Sequence, residues 1–247
     1  MTGTETRRII GDALREIVES AKSGGPRTRV GLMASGSELG PEELARGAVA
    51  AQEARPGLEG VMIGARIEGF DRLRWIETPD CGEDISRAME SALKEGNICA
   101  AVALHYPFPL GVTTIGRVMT PARGRPMFIA STTGTTATDR IEAMVRNAVY
   151  GIATAKALGL AEPTVGILNI DGAQTAFRAL QKLHDKGFPI SFGSSVRKDG
   201  GTLLRGNDIL AGAVDVCVTD TLTGNVPIKM FSACTNGGGY EATGWGY

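Results

Sequence analysis

The chain has 247 residues, 43% of them hydrophobic and 21% charged, with a formal net charge of −1. This is a globular composition with apolar material for a sizeable core, in one large domain or two small ones. Near-zero charge without a Lys/Arg block argues against nucleic acid or a membrane surface as partner. Cys81, Cys99, Cys217 and Cys234 lack the CxxC spacing of a zinc site or a disulfide framework, so no metal is expected.

In chain order, Ile9, Ile10, Ala13, Leu14, Ile17 and Val18 form the apolar face of a first helix, ending near Gly24-Gly25-Pro26. Arg29–Ala34 reads as a buried strand, followed by a helix from Pro41 to Arg55 and a short strand at Gly60–Gly64. A helix over Glu83–Lys94 stops at Gly96, and Ile98–Leu104 is a strand. The apolar stretch from Ile98 to Val112 is broken by His105, Pro107 and Pro109 and is too short to span a bilayer. The N-terminus has Arg7 and Arg8 but no signal-peptide core, so a soluble, cytoplasmic, reduced protein is expected. Pro126–Ala130 is a strand feeding the hydroxyl-rich STTGTTATD and a helix to about Leu158. Strand Thr164–Ile170, helix Ala173–Lys186 and strand Pro189–Phe192 come next, then strand Val214–Val218 and helix Asn225–Ala233. The segment 236–247 is a glycine-rich tail. Strands alternating with helices of these lengths predict a doubly wound α/β fold with a largely parallel sheet. The domain expectation is one α/β unit over residues 1–247, open to division into two joined subdomains.

In such a sheet ligands bind beyond the carboxyl ends of the strands. The segments expected there are Ser35–Glu38, His105-Tyr106 with PFPLGVTT, Ser131–Thr138, Asn169–Gly172 and Asp220–Asn225. They are rich in hydroxyls and glycine N–H groups and poor in charge, which favours a phosphate or pyrophosphate ligand over a metal. None matches a Walker A or dinucleotide fingerprint.

Each candidate carries a plainer alternative. His105 follows a strand end and suits acid–base work near neutral pH, or it fixes a proline-rich turn. His184 reads as a solvated helix residue. Asp220 is catalytic or caps the following helix. Lys229 meets phosphate if it faces the cleft and is otherwise a surface lysine. The Thr132, Thr133, Gly134, Thr135 and Thr136 segment binds phosphate, or its hydroxyls cap the helix through Thr136 or Thr138. Cys99 and Cys217 read as small core residues within apolar strands. Cys234 is the best thiol candidate, although a helix C-terminus does not activate a thiol.

The segment RGNDILAGAVDVCVTDTLTGNVPIKMF, Arg205 to Phe231, closely resembles the phosphate acyltransferases of phospholipid synthesis. More of the chain is similar to their relatives, the alpha subunits of component C of the glycine/sarcosine/betaine reductase complex. The matching pieces are VGLMASGSELG, HYPFPLGVTTIGRVMTP, FIASTTGTTATDRIEAMVRNAVYGIATAK, PTVGILNIDGA and DVCVTDTLTGNVPIKMFSACTNGGGYEATGWGY. The resemblance implies the α/β fold shared with isocitrate and isopropylmalate dehydrogenases and phosphate acetyltransferases.

It also implies exchange of an acyl group between sulfur and phosphate oxygen, performed with a β-ketoacyl-synthase-III-like partner subunit in a hetero-oligomer. No tightly bound cofactor is expected. Phosphate and an acyl-CoA or acyl-carrier thioester would be the substrates. Carried onto this chain, Ser37, Thr132 to Thr136, Asn207, Thr223, Gly224 and Asn225 would hold phosphate and polarise the thioester carbonyl. His105, Asp220 and Lys229 would be catalytic, with His105 or Lys229 managing the leaving thiolate. The reductase subunits have a cysteine in the strand before the HY pair, where Cys99 stands nearby, and another in a C-terminal segment beyond the equivalent of Tyr247. Two further readings stand beside this one. The chain is a non-catalytic scaffold for a synthase-III-like acyltransferase, for example in specialised metabolism, or an independent phosphate acetyltransferase.

Overall fold

A computed structural model describes residues 27–37 and 39–236, together with Gly11 and Val18. The rest of the expected first helix, Glu38 and the glycine-rich tail past Asn236 lie outside the described residues. The chain divides into two compact units, Met1–Tyr106 and Pro107–Tyr247.

The first unit alternates β1 (Thr28–Met33), α1 (Pro41–Ala54), β2 (Leu58–Gly64), β3 (Arg74–Glu77), α2 (Gly82–Lys94) and β4 (Ala100–Val102). All four strands are parallel, in the order β3-β2-β1-β4. The last five residues of β2 are all buried, which is why it reads as an unbroken apolar run. On one face Met33, Val61 and Ile63 pack with Ile85, Met89 and Ala92, which α2 presents at helical spacing. On the other, Ala34 and Met62 pack with Ala45 and Ala48 of α1. Pro41 in the first turn of α1, with Glu42 and Glu43 beside it, suits the missing acceptors and positive end of a helix start.

Two expectations in this unit need correction. The strand expected over Ile98–Leu104 shortens to β4, three residues at the sheet edge with β1 as partner. Cys99 is not a core residue: it precedes the strand, is exposed, and points its Sγ at the Arg29 carbonyl, 3.2 Å away. An edge strand has water on its open side, so an apolar run there does not imply burial. Strand β3 was not read from the sequence, because RWIE puts charges at both ends of a single apolar pair, Trp75 and Ile76.

The second unit begins with β5 (Val112–Met119) and β6 (Pro126–Thr135), then α3 (Arg140–Ala157), β7 (Thr164–Leu168) and α4 (Ala173–Asp185). It continues with β8 (Ser191–Phe192), β9 (Leu203–Leu204), α5 (Gly206–Ala211), β10 (Val216–Val218) and α6 (Thr221–Asn236). The sheet order is β5-β6-β10-β7-β8, with β9 also on β7; every pairing is parallel except β5 with β6. Residues alternate between two layers. Phe128, Ala130, Val216 and Val218 face Ala148 and Ile152 of α3 and Leu180 of α4. Met127, Ile129 and Cys217 face Ile209 of α5 and Phe231 of α6. Helices therefore cover both faces, the doubly wound α/β arrangement.

The largest correction concerns Ser131–Thr138. The first five residues are not a loop but the second half of β6, drawn into the sheet by antiparallel pairing with β5. Strand β5 escaped notice because VTTIGRVM mixes Thr, Gly and Arg into its alternation. The final helix starts at Thr221, four residues before Asn225, so TLTGN is its first turn and not a preceding loop. Strand β10 is correspondingly shorter than Val214–Val218, and β9 and α5 were not anticipated. Among the described residues, no helix is long and apolar enough to cross a membrane.

Candidate functional site

At the carboxyl edge of the second sheet, the ends of β6, β7 and β10 meet on one side chain. Arg140, the first residue of α3, donates to Asp220 after β10 at 2.6 Å and to Asp171 after β7 at 3.2 Å. Asp220 is mostly buried and Asp171 is 90% exposed, so the two contacts differ in character. Asp220 also caps α6, accepting from the Thr223 N–H at 2.8 Å and the Thr223 hydroxyl at 3.1 Å. Burial opposes its charge, but the bonds from Thr223 and Arg140 outweigh burial and hold the Asp220 carboxyl below its ordinary range. Its partner's guanidinium is held above the ordinary arginine range, chiefly by the bond to Asp220. The N–H groups of Thr221 and Leu222 open α6 without a partner among the described residues.

Behind this edge lies a buried amide relay. The Thr136 hydroxyl sits 2.9 Å from Asn147 Oδ1 and 3.0 Å from the Ala143 carbonyl, and Asn147 donates to the Thr219 carbonyl at 3.1 Å. The relay ties the end of β6 through α3 to the residue before Asp220. Neither Thr136 nor Thr138 caps α3. Asp139 does, accepting from the Glu142 N–H at 2.7 Å.

The hydroxyls of β6 are turned inward. Thr113 Oγ1 of β5 contacts Ser131 Oγ and donates to the Thr133 carbonyl at 3.0 Å. Thr114 and Thr132 share a bond of 2.6 Å, and Thr133 donates to the Thr132 carbonyl at 2.8 Å. Asn225 joins from α6, donating Nδ2 to the Thr132 carbonyl at 2.9 Å and to Thr133 Oγ1 at 3.3 Å. These donors satisfy protein acceptors, so the segment that looks donor-rich in sequence is a self-bonded patch of sheet.

The two glycines of the site serve close approach. A Cβ on Gly224 would lie 1.7 Å from the Ser131 carbonyl oxygen, so the first turn of α6 packs directly on the β6 backbone. At Gly134, φ is +82° and a Cβ would meet the Val112 carbonyl oxygen at 2.4 Å.

The other candidates lie elsewhere. Lys229 is eight residues past Thr221, about 12 Å further along the helix at 1.5 Å per residue. It lines a separate groove of about 460 Å³ with Val118, Met119, Ile228 and Phe231. Exposed Cys234 is still further along α6. Asn207 is exposed on the first turn of α5, at the end of β9. Its buried neighbour Asp208, overlooked in the sequence, receives bonds from Ser195 Oγ, Val196 N–H and Arg205 N–H at 3.0, 2.7 and 2.7 Å. Thr135 is exposed.

Ser37 and His105 belong to the first unit. The Ser37 hydroxyl accepts from the Leu39 N–H at 3.2 Å, a local turn bond. His105 is exposed, and a Cβ on Gly36 would come within 3.0 Å of its Cβ, so the chain after β4 touches the turn after β1. Tyr106 anchors this segment by donating to Glu90 at 2.6 Å, a bond that with burial raises the phenol to about 12. His184 accepts the Ile190 N–H at 3.2 Å and stacks edgewise on Phe192. Among the described residues, no group of His, Cys, Asp and Glu is arranged to hold a metal ion.

Sequence reasoning missed Arg140, Asn147 and the role of Asp171. The DR pair after STTGTTAT was the available signal: a cap followed by a cation at a strand end.

These features define an α/β protein with the fold of a phosphotransacylase. A branched-chain phosphotransacylase from Enterococcus faecalis superposes with a TM-score of 0.55 over 84% of both chains, at 14% identity. The chain belongs to the fatty acid synthesis protein family, whose pattern it matches over residues 28–203. It is 47% identical over 99% of its length to the glycine/sarcosine/betaine reductase complex component C subunit alpha of Peptoclostridium acidaminophilum. The chain spans 63% of that relative's length. It is 30% identical to the phosphate acyltransferase of Thermobifida fusca, over 90% of this chain and 61% of that one.

Proposed function

We propose that this chain moves an acyl group between a thioester and phosphate, as a subunit paired with a β-ketoacyl-synthase-III-like protein. The observation that carries the reading is the convergence of three strand ends on Arg140, a cation at the edge where α/β sheets bind ligands. The names of the phosphate acyltransferase relative and of the structural neighbour support the chemistry, and the reductase component's name supports a place in a complex.

In the proposed reaction a phosphate oxygen attacks the thioester carbonyl, the carbon–sulfur bond breaks, and the thiolate leaves with the electron pair. Arg140 and the free N–H groups of Thr221 and Leu222 hold the phosphate. Asp171, the exposed arm of the ion triad, gives way to it. A guanidinium presents several donors in one plane, which suits phosphate oxygens.

The test is formation of acetyl phosphate from acetyl-CoA and phosphate, trapped with hydroxylamine, by the chain alone and with the synthase-III-like protein. Arg140→Met is expected to raise the phosphate KM by roughly tenfold to a hundredfold. No acyl phosphate from either preparation overturns the acyl-transfer reading. The self-bonded hydroxyls of Ser131–Thr133 favour a second reading, a non-catalytic scaffold. Undiminished turnover by the pair when Arg140→Met is present would select it.

A further inference from the structure

In the first turn of α6, Asn225 offers its amide oxygen as an acceptor. Nδ2 of Asn225 lies 2.9 Å from the Thr132 carbonyl, which can only accept, so the amide cannot be flipped without setting two acceptors against each other. Nδ2 also lies 3.3 Å from Thr133 Oγ1. Oδ1 must therefore point away from the sheet, and it has no partner among the described residues. Thr223 repeats the pattern, since its hydroxyl proton goes to Asp220 and leaves an oxygen with lone pairs. Pro227 has no N–H to give the Thr223 carbonyl, which stands in the turn without its ordinary helical donor.

We infer that Asn225 is a specificity residue that accepts, through Oδ1, a hydrogen bond from an amide N–H on the carrier arm of the thioester substrate, and is not a phosphate ligand. The inference rests on the acyl-transfer reading for the kind of ligand. A phosphate oxygen set against Oδ1 would be repelled, whereas an amide N–H completes the half-buried Asn225 without disturbing its bonds to β6. The arm is shared by acyl-CoA and acyl-carrier-protein thioesters, so both are tested.

Binding of acetyl-CoA, an acetyl-carrier protein and orthophosphate to the full chain is measured by titration calorimetry, for wild type and Asn225→Ala. Two acetyl-CoA analogues, each with one amide N–H replaced by an ester oxygen, are measured alongside. One analogue is expected to bind wild type roughly tenfold more weakly than acetyl-CoA. That penalty should vanish in Asn225→Ala, while orthophosphate affinity stays within about twofold. A penalty that survives in Asn225→Ala overturns the inference, as does a tenfold loss of orthophosphate affinity with acetyl-CoA binding unchanged. So does failure of wild type to bind both thioesters. If Asn225→Ala does not fold, the wild-type comparison decides alone, and absence of a penalty with either analogue overturns the assignment. Acyl phosphate formation without any analogue penalty would remove Asn225's role and leave the acyl-transfer reading standing.

Discussion

Gly224 shows how a single position can couple a motif to a fold. The TGN turn invites interpretation as an anion cradle, yet its glycine is required because the helix backbone rests on the Ser131 carbonyl. Gly224→Ala is expected to destabilise the protein by about 3 kcal/mol or more, seen as a lower urea midpoint, because neither backbone can yield cheaply. An unchanged midpoint would mean that α6 does not pack on β6 in this way. Asp220 carries a pH signature. Its folded-state pKa lies below its unfolded value, so its contribution is fully present above about pH 4 and is lost as pH falls through the folded value. Asp220→Asn should therefore lower stability at neutral pH and flatten the acid limb of the stability curve. Asp215, depressed against burial by Thr164 and Arg125, keeps its own share of that limb in the variant. Identical acid slopes in the two proteins would refute the assignment.

Among elements, the decisive event is the pairing of β5 with β6, which turns a hydroxyl-rich stretch into sheet. Local sequence could not show this. Ser and Thr suit loops, caps and strands alike, and the choice depended on a partner strand whose own alternation is broken by Gly116 and Arg117. The strands with continuous apolar runs, such as VMIG in β2 and MFIA in β6, were legible because burial on both faces leaves an unmistakable pattern. The Arg140 triad was not legible, since its members come from three connections far apart in sequence. Its two arms should behave differently. Asp171→Asn removes an exposed contact and is expected to change stability by less than about 0.5 kcal/mol. Arg140→Met leaves Asp220 without its cation and should cost about 1–3 kcal/mol. Denaturant titrations of both variants check this, and equal losses would mean that the triad acts as one undivided unit.

At the scale of the molecule, the α/β class follows from alternation alone, because each apolar strand needs cover and the amphipathic helices between strands supply it. Division into two units was open in the sequence, since length admits either answer. The structure gives each unit its own pair of cores, with no residue common to both. One strand of the second unit also offers a built-in clock. Cys217 lies in the middle of β10, between β6 and β7, buried under α5 and α6, and burial pushes its thiol up to about 12. Cys81, Cys99 and Cys234 are exposed. An aromatic disulfide reagent should thus modify three thiols promptly in the native protein, with the fourth following only as the central strand comes apart. The rate of that last colour change would read the opening of the second sheet without a label, a tryptophan or a ligand. Prompt reaction of all four would place Cys217 outside the core.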